Sequence, residues 1–536
     1  MGNRHAIDSV SVRDTRLFGW GWFLDDDAPA DAIALVIRLA DGSHRTLHCP
    51  QTGSRPDLRE AYPQLPHAAG GGFMLQARLP DRADIVRIEL EVSLRNGERV
   101  LLAMPALERA CAPQDRDSRT DVPGAGAQRL RLARDMVRDA QWRALWQRLW
   151  DFVHRRVVRS RLQTMPKADS GHEAWIVFDH AMGGGANHFR NEKIGEWRAA
   201  GHDVRVVTPQ LNTLEYVVEG IGPEGAEWRQ SYPDLPACLR SLGPCVRIVV
   251  NDLVSFDDPL RVLAWTLARK REGAGLLFYL HDFHAACPAW TLTGANGRDC
   301  GVPDRAQCAR CLPANVAPFL AMMPSLEIPE WRRAWGEFLT AADEIVAFSA
   351  SSIDILRRAY PQLDAARIEL RPHSTVYLGD TPPAFRPPHP GEIATIGVVG
   401  AISVYKGADI VAEMARLIER EGWPARIVVV GSIDGVPLSP ALRITGPYRT
   451  GELPEVLERE GIDVAFLPSI WHETFSYVTA ELMHYRVPLA VFDLGAPAER
   501  VRTYPLGRII PAIDARIALA EITAFHRSLT AADAPV

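Results

Sequence analysis

Two glutamates, Glu473 and Glu481, stand eight positions apart in the segment SIWHETFSYVTAELMHYR, which continues from the apolar run DVAFLP. If the whole span were helical, the backbones of these two residues would lie about 12 Å apart along the axis. Carboxyl groups that cleave a glycosidic bond stand closer together, at roughly 5–9.5 Å. The spacing favours two carboxylates that hold opposite ends of an elongated ligand. The alternative is a pair of surface glutamates on an ordinary helix.

Between the two glutamates the chain passes from a predicted strand through a turn into a predicted helix. The start of a helix offers backbone N–H groups that favour a bound diphosphate. The groups concerned belong to Phe475, Ser476 and Tyr477. A sugar at Glu473, a diphosphate at the helix start and a ribose at Glu481 would fill the site in that order.

Two further segments could approach the same anion. GVVGAISVYKGADI places Lys406 just before a helix, where an ammonium group suits a diphosphate. HAMGGGANHFR follows another strand and places Gly184 and Gly185 where the backbone can approach an anion closely. Taken alone, each segment also has an ordinary interpretation, as a surface lysine and as a plain tight turn.

The elements that must position these residues form two series of alternating strands and helices, separated by the run TPPAFRPPHPGE. Such alternation predicts parallel sheets of the Rossmann-like kind, whose ligands lie at the carboxyl ends of the strands. Earlier in the chain, short apolar segments broken by Asp-Gly and Asn-Gly predict a small all-β sandwich. We therefore expect an α/β chain with a β-sandwich at residues 1–110, a linker with a basic helix at 111–170, and two Rossmann-like domains at 171–380 and 381–536.

The E-x7-E pattern after a strand, with the upstream Gly-x5-Lys-Gly, resembles the retaining nucleotide-sugar glycosyltransferases of family 4, which have the GT-B fold. The resemblance covers residues 173 to about 525. The N-terminal part, with GWGWFLDDD and PDLREAYP, is similar to β-sandwiches carried by some bacterial polysaccharide glycosyltransferases. The resemblance implies transfer from a nucleoside-diphosphate sugar to a glycan or lipid-linked glycan acceptor, in bacterial surface polysaccharide assembly.

The same resemblance implies roles for individual residues. Glu473 would contact hydroxyl groups of the donor sugar, and His281, at the end of LLFYLHD, would face that sugar from the other domain. The rest of the donor would be held by the remaining candidates, which are Glu481 for the ribose and Lys406, Gly184, Gly185, Phe475, Ser476 and Tyr477 for the diphosphate. Many members have an arginine where this chain has Ala401, so Arg190 becomes a candidate for the missing positive charge.

The expected reaction retains the anomeric configuration. No second carboxylate nucleophile is apparent, so we expect front-face attack, in which the leaving diphosphate takes the acceptor proton and the protein positions the groups. No DxD motif lies at a strand end, and we expect no catalytic metal or other cofactor.

Four other functions must be weighed against glycosyl transfer. A missing GxGxxG disfavours an NAD dehydrogenase. A glycogen-phosphorylase-like enzyme would need a pyridoxal lysine, for which there is no signal, and a sugar-nucleotide epimerase needs no sugar-recognising accessory domain. A catalytically silent glycan-binding or scaffold protein of the same fold is the main alternative.

Composition limits the partners and the compartment. The 536 residues carry a formal net charge of -6, which gives no reason to expect nucleic acid. The start of the chain lacks the apolar core of a signal peptide, and no apolar run is long enough to span a bilayer. We therefore expect a cytoplasmic protein.

The segment QWRALWQRLWDFVHRRVVRSR, residues 141–161, could bring the protein to the inner face of a membrane. On a helix, Trp142, Trp146 and Trp150 share one apolar stripe, and residues 129–161 contain ten arginines against three aspartates. Such a helix suits the surface of an anionic membrane. An apolar stripe can equally pack on the protein's own domain or on a second subunit, and both interpretations stay open.

Four cysteines fall within 25 residues, in the segment CPAWTLTGANGRDCGVPDRAQCARC. These residues are Cys287, Cys300, Cys308 and Cys311. The last two have the C-x2-C spacing that lets two thiolates share one tetrahedral metal. Because the complete spacing is not that of a standard zinc finger, a structural zinc and four unligated thiols both remain open.

Overall fold

The computed structural model describes eight stretches of the chain, namely residues 2–51, 55–111, 174–221, 227–323, 326–379, 393–436, 439–449 and 451–532. The predicted basic helix at 141–161 lies outside these stretches, as does the proline-rich run between the two Rossmann-like domains. No helix among the described residues is long and apolar enough to cross a membrane.

The N-terminal β domain contains two antiparallel sheets. Its strands are β1 (Asn3–Arg13), β2 (Arg16–Asp25), β3 (Ala30–Leu39), β4 (His44–His48), β5 (Gly72–Arg78), β6 (Ile85–Leu94) and β7 (Arg99–Ala103), and its helices are α1 (Pro56–Ala61) and α2 (Pro105–Cys111). One sheet has the order β1-β2-β5 and the other the order β4-β3-β6-β7. Because side chains alternate across a strand, each sheet turns one apolar face inward. The two faces share one core, which includes Phe23, Phe73 and Leu90.

The middle domain is built on an eight-stranded sheet with the order β11-β10-β9-β8-β12-β13-β14-β15. Its strands are β8 (Ala174–Phe178), β9 (Asp203–Gln210), β10 (Glu215–Ile221), β11 (Glu227–Tyr232), β12 (Cys245–Val250), β13 (Gly275–Leu280), β14 (Glu344–Ala347) and β15 (Ile368–Leu370). Its helices are α3 (Gly185–Ala199), α4 (Leu235–Ser241), α5 (Pro259–Arg271), α6 (Arg305–Cys311), α7 (Ile328–Ala341) and α8 (Ala350–Ala359). The strands β9-β8-β12-β13-β14-β15 are parallel, and β10 and β11 extend the sheet as antiparallel strands.

The C-terminal domain has a six-stranded parallel sheet with the order β18-β17-β16-β19-β20-β21. Its strands are β16 (Ala394–Ile402), β17 (Ala425–Ile433), β18 (Leu442–Ile444), β19 (Val464–Leu467), β20 (Leu489–Phe492) and β21 (Gly507–Ile510). Its helices are α9 (Ala408–Glu421), α10 (Leu453–Arg459), α11 (Tyr477–His484), α12 (Gly495–Val501) and α13 (Ala515–Ala532).

Both parallel sheets have a switch point beside their first strand, because β8 lies between β9 and β12 and β16 lies between β17 and β19. Ligands of such sheets bind at the carboxyl ends of the strands near this point. Those ends meet across the two domains, since Thr474, after β19, hydrogen-bonds to His281, after β13. The predicted fold class is confirmed: two Rossmann-like domains face a cleft in the GT-B arrangement, behind an all-β domain.

The β domain is docked on the middle domain by an apolar cluster. Phe18 of β2 is buried there together with Val254 and Phe319 of the middle domain. The side chain of Gln76, which is 2% exposed, accepts a hydrogen bond from the Phe319 N–H at 2.8 Å. The contact thus combines apolar burial with a satisfied polar group, as in the interior of a single domain.

We predict that Phe18→Ala will destabilise the protein by about 3–5 kcal/mol, because truncation of a buried phenylalanine removes its transfer free energy and leaves a cavity. Denaturant unfolding followed by intrinsic fluorescence measures this loss. Val86→Ala is the matched control, since Val86 is an apolar residue of the same domain that is 67% exposed. Equal stability of both variants would contradict the docking described above.

Candidate active site

The turn after β19 and the start of α11 form the centre of the candidate site. Glu473 lies in the turn and Glu481 in the second turn of α11, as predicted. Ser476 precedes the helix with a φ of 66°, a conformation that costs a non-glycine residue ~1–3 kcal/mol and often marks a ligand site. Among the described residues, the N–H groups of Phe475, Ser476 and Tyr477 donate to no protein acceptor. The helix start is therefore available to an anion.

The tight turn that begins α9 places Lys406 near the turn after β19. Gly407, with a φ of 85°, lies so close to Pro468 that a Cβ atom would collide with the Pro468 carbonyl oxygen. The N–H of Ile470 also donates to the carbonyl oxygen of Tyr405 at 3.0 Å. Within the described part of the chain, no carboxylate forms an ion pair with Lys406. The backbone of Lys406 thus lies beside the turn, and its ammonium group has no counter-ion in the part of the chain that the structure describes.

The glycine-rich turn after β8 faces the same helix start from the middle domain. Gly184 caps α3 with a φ of 86°, and a Cβ atom on Gly185 would lie 3.1 Å from the ring of Tyr477. His188, in the first turn of α3, packs edge-on against that ring at 5.6 Å between centroids. The structure thus brings the predicted glycines of one domain against the predicted helix start of the other.

His281 lies at the carboxyl end of β13 and contacts the turn after β19. The hydroxyl of Thr474 donates to the carbonyl oxygen of His281 at 2.9 Å. The Nε2 atom of His281 lies 3.0 Å from Oδ1 of Asn251, whose amide nitrogen donates to Ala186, so Nε2 carries the proton. Burial, followed by two neighbouring histidines, lowers the pKa of His281 well below its ordinary value. The ring is therefore neutral.

Aromatic rings from both domains pack in a layer around His281. The sequence analysis did not identify this layer. His373, in the loop after β15, packs on Phe348 with the ring centroids 3.9 Å apart and on Phe475 at 4.6 Å. Its Nδ1 atom forms a hydrogen bond with the Tyr477 hydroxyl at 2.8 Å. Burial lowers the pKa of His373 to about 3, which keeps the ring neutral. No motif in the surrounding run LRPHSTVY distinguishes this histidine.

The carboxylate of Glu481 faces the chain segment that leaves the middle domain. The hydroxyl of Tyr377 in that segment donates to Glu481 Oε1 at 3.0 Å. Burial raises the pKa of Glu481, and the hydrogen bond from Tyr377 partly offsets this effect. Tyr377 is 40% exposed, so the carboxylate lies near the opening of the cleft. A ribose hydroxyl at this carboxylate would bind beside the phenol or replace it.

The guanidinium of Arg190, a candidate to compensate for Ala401, is engaged elsewhere. It pairs with the buried Asp179 at 2.9 Å. Arg500 of α12 lies nearer to the helix start and donates to the carbonyl oxygens of the two residues that precede α11, at 3.4 and 3.3 Å. Arg500 was not identified in the sequence, and it supports the strained turn from the protein side.

A buried acidic cluster lies at the carboxyl ends of β8, β12 and β13. Among the described residues, one group of three side chains could bind a metal ion, because their ligand atoms lie within 4.8 Å of one another. They are Asp179, His180 and Asp252. Asp179 is neutralised by Arg190, and Asp252 is hydrogen-bonded to Asp282. Burial, followed by the charge of Asp179, raises the pKa of Asp252 to about 7, and burial raises that of Asp282 well above its ordinary value. The Asp252 and Asp282 carboxyls therefore share a proton at neutral pH.

Asp252→Asn should stabilise the protein relative to wild type, by an amount that grows with pH. Folding raises the pKa of Asp252, so wild type loses stability as pH rises from the unfolded value near 4 towards about 7. The asparagine does not ionise and keeps the oxygen that accepts from the Val254 N–H. We expect the difference in unfolding free energy to widen by up to about 1.4 kcal/mol per pH unit over this range.

Denaturant unfolding of both proteins between pH 4 and pH 8 measures this difference. Asp354→Asn is the control, because Asp354 is an exposed residue of α8. Parallel pH profiles of wild type and Asp252→Asn would show that Asp252 is not a buried, protonated acid.

The loop that carries the four clustered cysteines packs against the turn of the candidate site. The rings of Trp290 and Trp471 meet edge-on at 5.3 Å, and Asp299 Oδ1 lies 3.1 Å from His472 Nε2. The predicted metal ligands line one cavity of about 340 Å³, and all of them are free thiols: Cys287, Cys300, Cys308 and Cys311.

Comparison with known proteins addresses the C-terminal domain most directly. Residues 393–525 match the family described as Glycosyl transferases group 1. These residues include the candidate positions Lys406, Glu473 and Glu481. No curated protein sequence matches the chain significantly.

Solved structures resemble the chain weakly. HepE (Alr3699) of Anabaena in complex with UDP is 12% identical, with 67% of this chain and 95% of that chain covered at a TM-score of 0.38. Its complex with UDP-glucose is 15% identical, with the same coverage and a TM-score of 0.36. A glycosyltransferase from Rickettsia africae is 13% identical, with 68% of this chain and 92% of that chain covered at 0.41. The match to group 1 glycosyl transferases is confined to residues 393–525 of the 536 residues.

Proposed function

We propose that the protein is a retaining, metal-independent glycosyltransferase. It transfers a sugar from a nucleoside-diphosphate sugar to a hydroxyl group of a glycan or lipid-linked glycan, in the assembly of a bacterial surface polysaccharide. The observation that carries this proposal is the set of N–H groups at the start of α11 that have no acceptor among the described residues, together with Lys406, which has no ion-pair partner among them. The match of residues 393–525 to group 1 glycosyl transferases supports the same chemistry.

The charges of the site suit a diphosphate. The start of a helix carries about half a positive charge on its free N–H groups. Lys406 adds one full charge at the neighbouring turn, and no protein carboxylate of the described residues neutralises it. Glu473 and Glu481 lie on either side of the helix start, where hydroxyl groups of the sugar and of the ribose can donate to them.

In the proposed reaction the bond between the anomeric carbon and the diphosphate oxygen breaks while the acceptor oxygen bonds to the same face of that carbon. The departing diphosphate gains negative charge, which Lys406 and the helix start stabilise, and it takes the proton of the acceptor hydroxyl. His281 is held neutral by burial and fixed by Asn251, so it contacts the sugar without adding charge. The protein thus acts by positioning and by stabilising the leaving group.

We expect Glu481→Gln and Lys406→Ala each to weaken binding of the nucleoside diphosphate by about 1.5–3 kcal/mol, or roughly 10- to 150-fold, the loss typical of a hydrogen bond to a charged group. Glu473→Gln should lower kcat more than it lowers nucleotide affinity, because the Glu473 side chain is proposed to contact the transferred sugar. Calorimetry with the nucleoside diphosphate and steady-state kinetics measure both effects.

Matched controls are Lys270→Ala and Glu455→Gln. Lys270 pairs with Asp343 near the end of α5, and Glu455 is an exposed residue of α10. Both controls should bind nucleotide like wild type. If all three site variants also behave like wild type, the site assignment is wrong.

The stereochemistry of the product tests the retaining reaction. A panel of UDP-, GDP- and dTDP-sugars, screened for nucleotide release with and without acceptor, identifies the donor. NMR of the isolated product should then show the anomeric configuration of the donor, and the opposite anomer would exclude front-face attack. If no donor releases nucleotide while the protein binds glycan tightly, the silent binding protein would replace the enzyme.

A further inference from the structure

The cysteine-bearing loop between β13 and α7 carries chemistry that the proposed glycosyl transfer does not use. We propose that its four clustered cysteines bind one structural zinc ion, and that this ion fixes the loop against the turn of the candidate site. The proposed ligands are Cys287, Cys300, Cys308 and Cys311.

The fold brings these cysteines together from distant positions in the loop. Cys308 and Cys311 lie on α6, three residues apart, so both face the same side of one helical turn. Cys287 and Cys300 come from the irregular part of the loop and line the same cavity of about 340 Å³. No three of the four sulfur atoms lie within 4.8 Å of one another. Tetrahedral coordination at Zn–S distances of about 2.3 Å would therefore draw the loop inward around the ion.

Hydrogen-bond donors already point at the sulfur atoms. The backbone N–H group of Ala295 donates to Cys311 at 3.3 Å. The side-chain amide of Asn315 also donates to Cys311 at 3.6 Å. Groups of this kind orient the ligands of metal sites.

A buried positive charge also lies beside one of the cysteines. The guanidinium of Arg332 in α7 is 8% exposed, and within the described residues no carboxylate forms an ion pair with it. One of its nitrogen atoms donates to Cys308 Sγ at 3.4 Å, and another donates to the carbonyl oxygen of Ala286 at 3.1 Å. A buried charge without a counter-ion is costly. A zinc ion with four thiolates carries a net charge of about -2, which would supply the counter-ion.

The position of the loop indicates what the ion would do. Trp290 and Asp299 contact Trp471 and His472, which directly precede Glu473. The segment between Cys287 and Cys311 buries Leu292 and Val302, but its glycine-rich turn at residues 294–298 has little apolar surface whose burial could order it. A zinc ion bound to the four cysteines would hold this segment in place.

Metal analysis of the full-length protein, purified without chelator, tests the proposal without any substrate. We expect one zinc ion per chain in wild type, and its loss in Cys300→Ser and Cys311→Ser. Cys245→Ser is the matched control, since Cys245 is a half-buried cysteine outside the cluster, and it should retain zinc. Asp252→Asn should also retain zinc, which separates this site from the acidic cluster at the strand ends.

If a serine variant fails to fold, cobalt substitution in the wild-type protein still tests the proposal. Protein stripped of zinc and reloaded with Co²⁺ should show the intense thiolate-to-cobalt absorption of sulfur coordination. Bound cobalt without that absorption would overturn the proposal. Wild type without stoichiometric zinc, in which all four thiols react with a thiol reagent under native conditions, would overturn it too. Neither result depends on whether the protein transfers sugar.

Discussion

The packing of the start of α11 between the two domains determines most of what the cleft can do. Phe475 is 5% exposed and shares a core with Phe189 and Phe348 of the middle domain. Next to this ring, Ser476 has a φ of 66°, and among the described residues three successive N–H groups have no protein acceptor. Free N–H groups at a helix start favour negative charge, and the proposed diphosphate site rests on this arrangement.

The surrounding groups keep the middle-domain side of the cleft close to neutral. Burial keeps His281 and His373 uncharged. The carboxyls of Asp252 and Asp282 share a proton, and Asp179 is paired with Arg190. A diphosphate that approaches the helix start would therefore meet little repulsion from these buried acids. Its attraction would come from the C-terminal domain, through Lys406 and the helix itself.

Local patterns in the sequence predicted the strands and helices of the two parallel sheets well. Continuous apolar runs such as IATIGVVG and DVAFLP are typical of strands in parallel sheets, and they became β16 and β19. Lys406 and Glu481 could be placed because each stands at a fixed distance from a strand or from a helix start. Their surroundings depend on chain folding over long distances, as when Tyr377 donates to Glu481 from more than 100 residues away. His373 and Arg500 could not be found, because nothing near them in the sequence records their contacts across the cleft. The edge strands β10 and β11 were not anticipated either, since an antiparallel extension is set by pairing rather than by composition.

A structure of the protein in complex with its nucleoside diphosphate, determined by crystallography or electron microscopy, would show directly what binds at the start of α11. The diphosphate oxygens should lie within hydrogen-bond distance of the N–H groups at the start of α11 and of Lys406 Nζ, with the ribose against Glu481. A nucleotide bound at the other end of the cleft, with the N–H groups of Phe475, Ser476 and Tyr477 still without a partner, would contradict it.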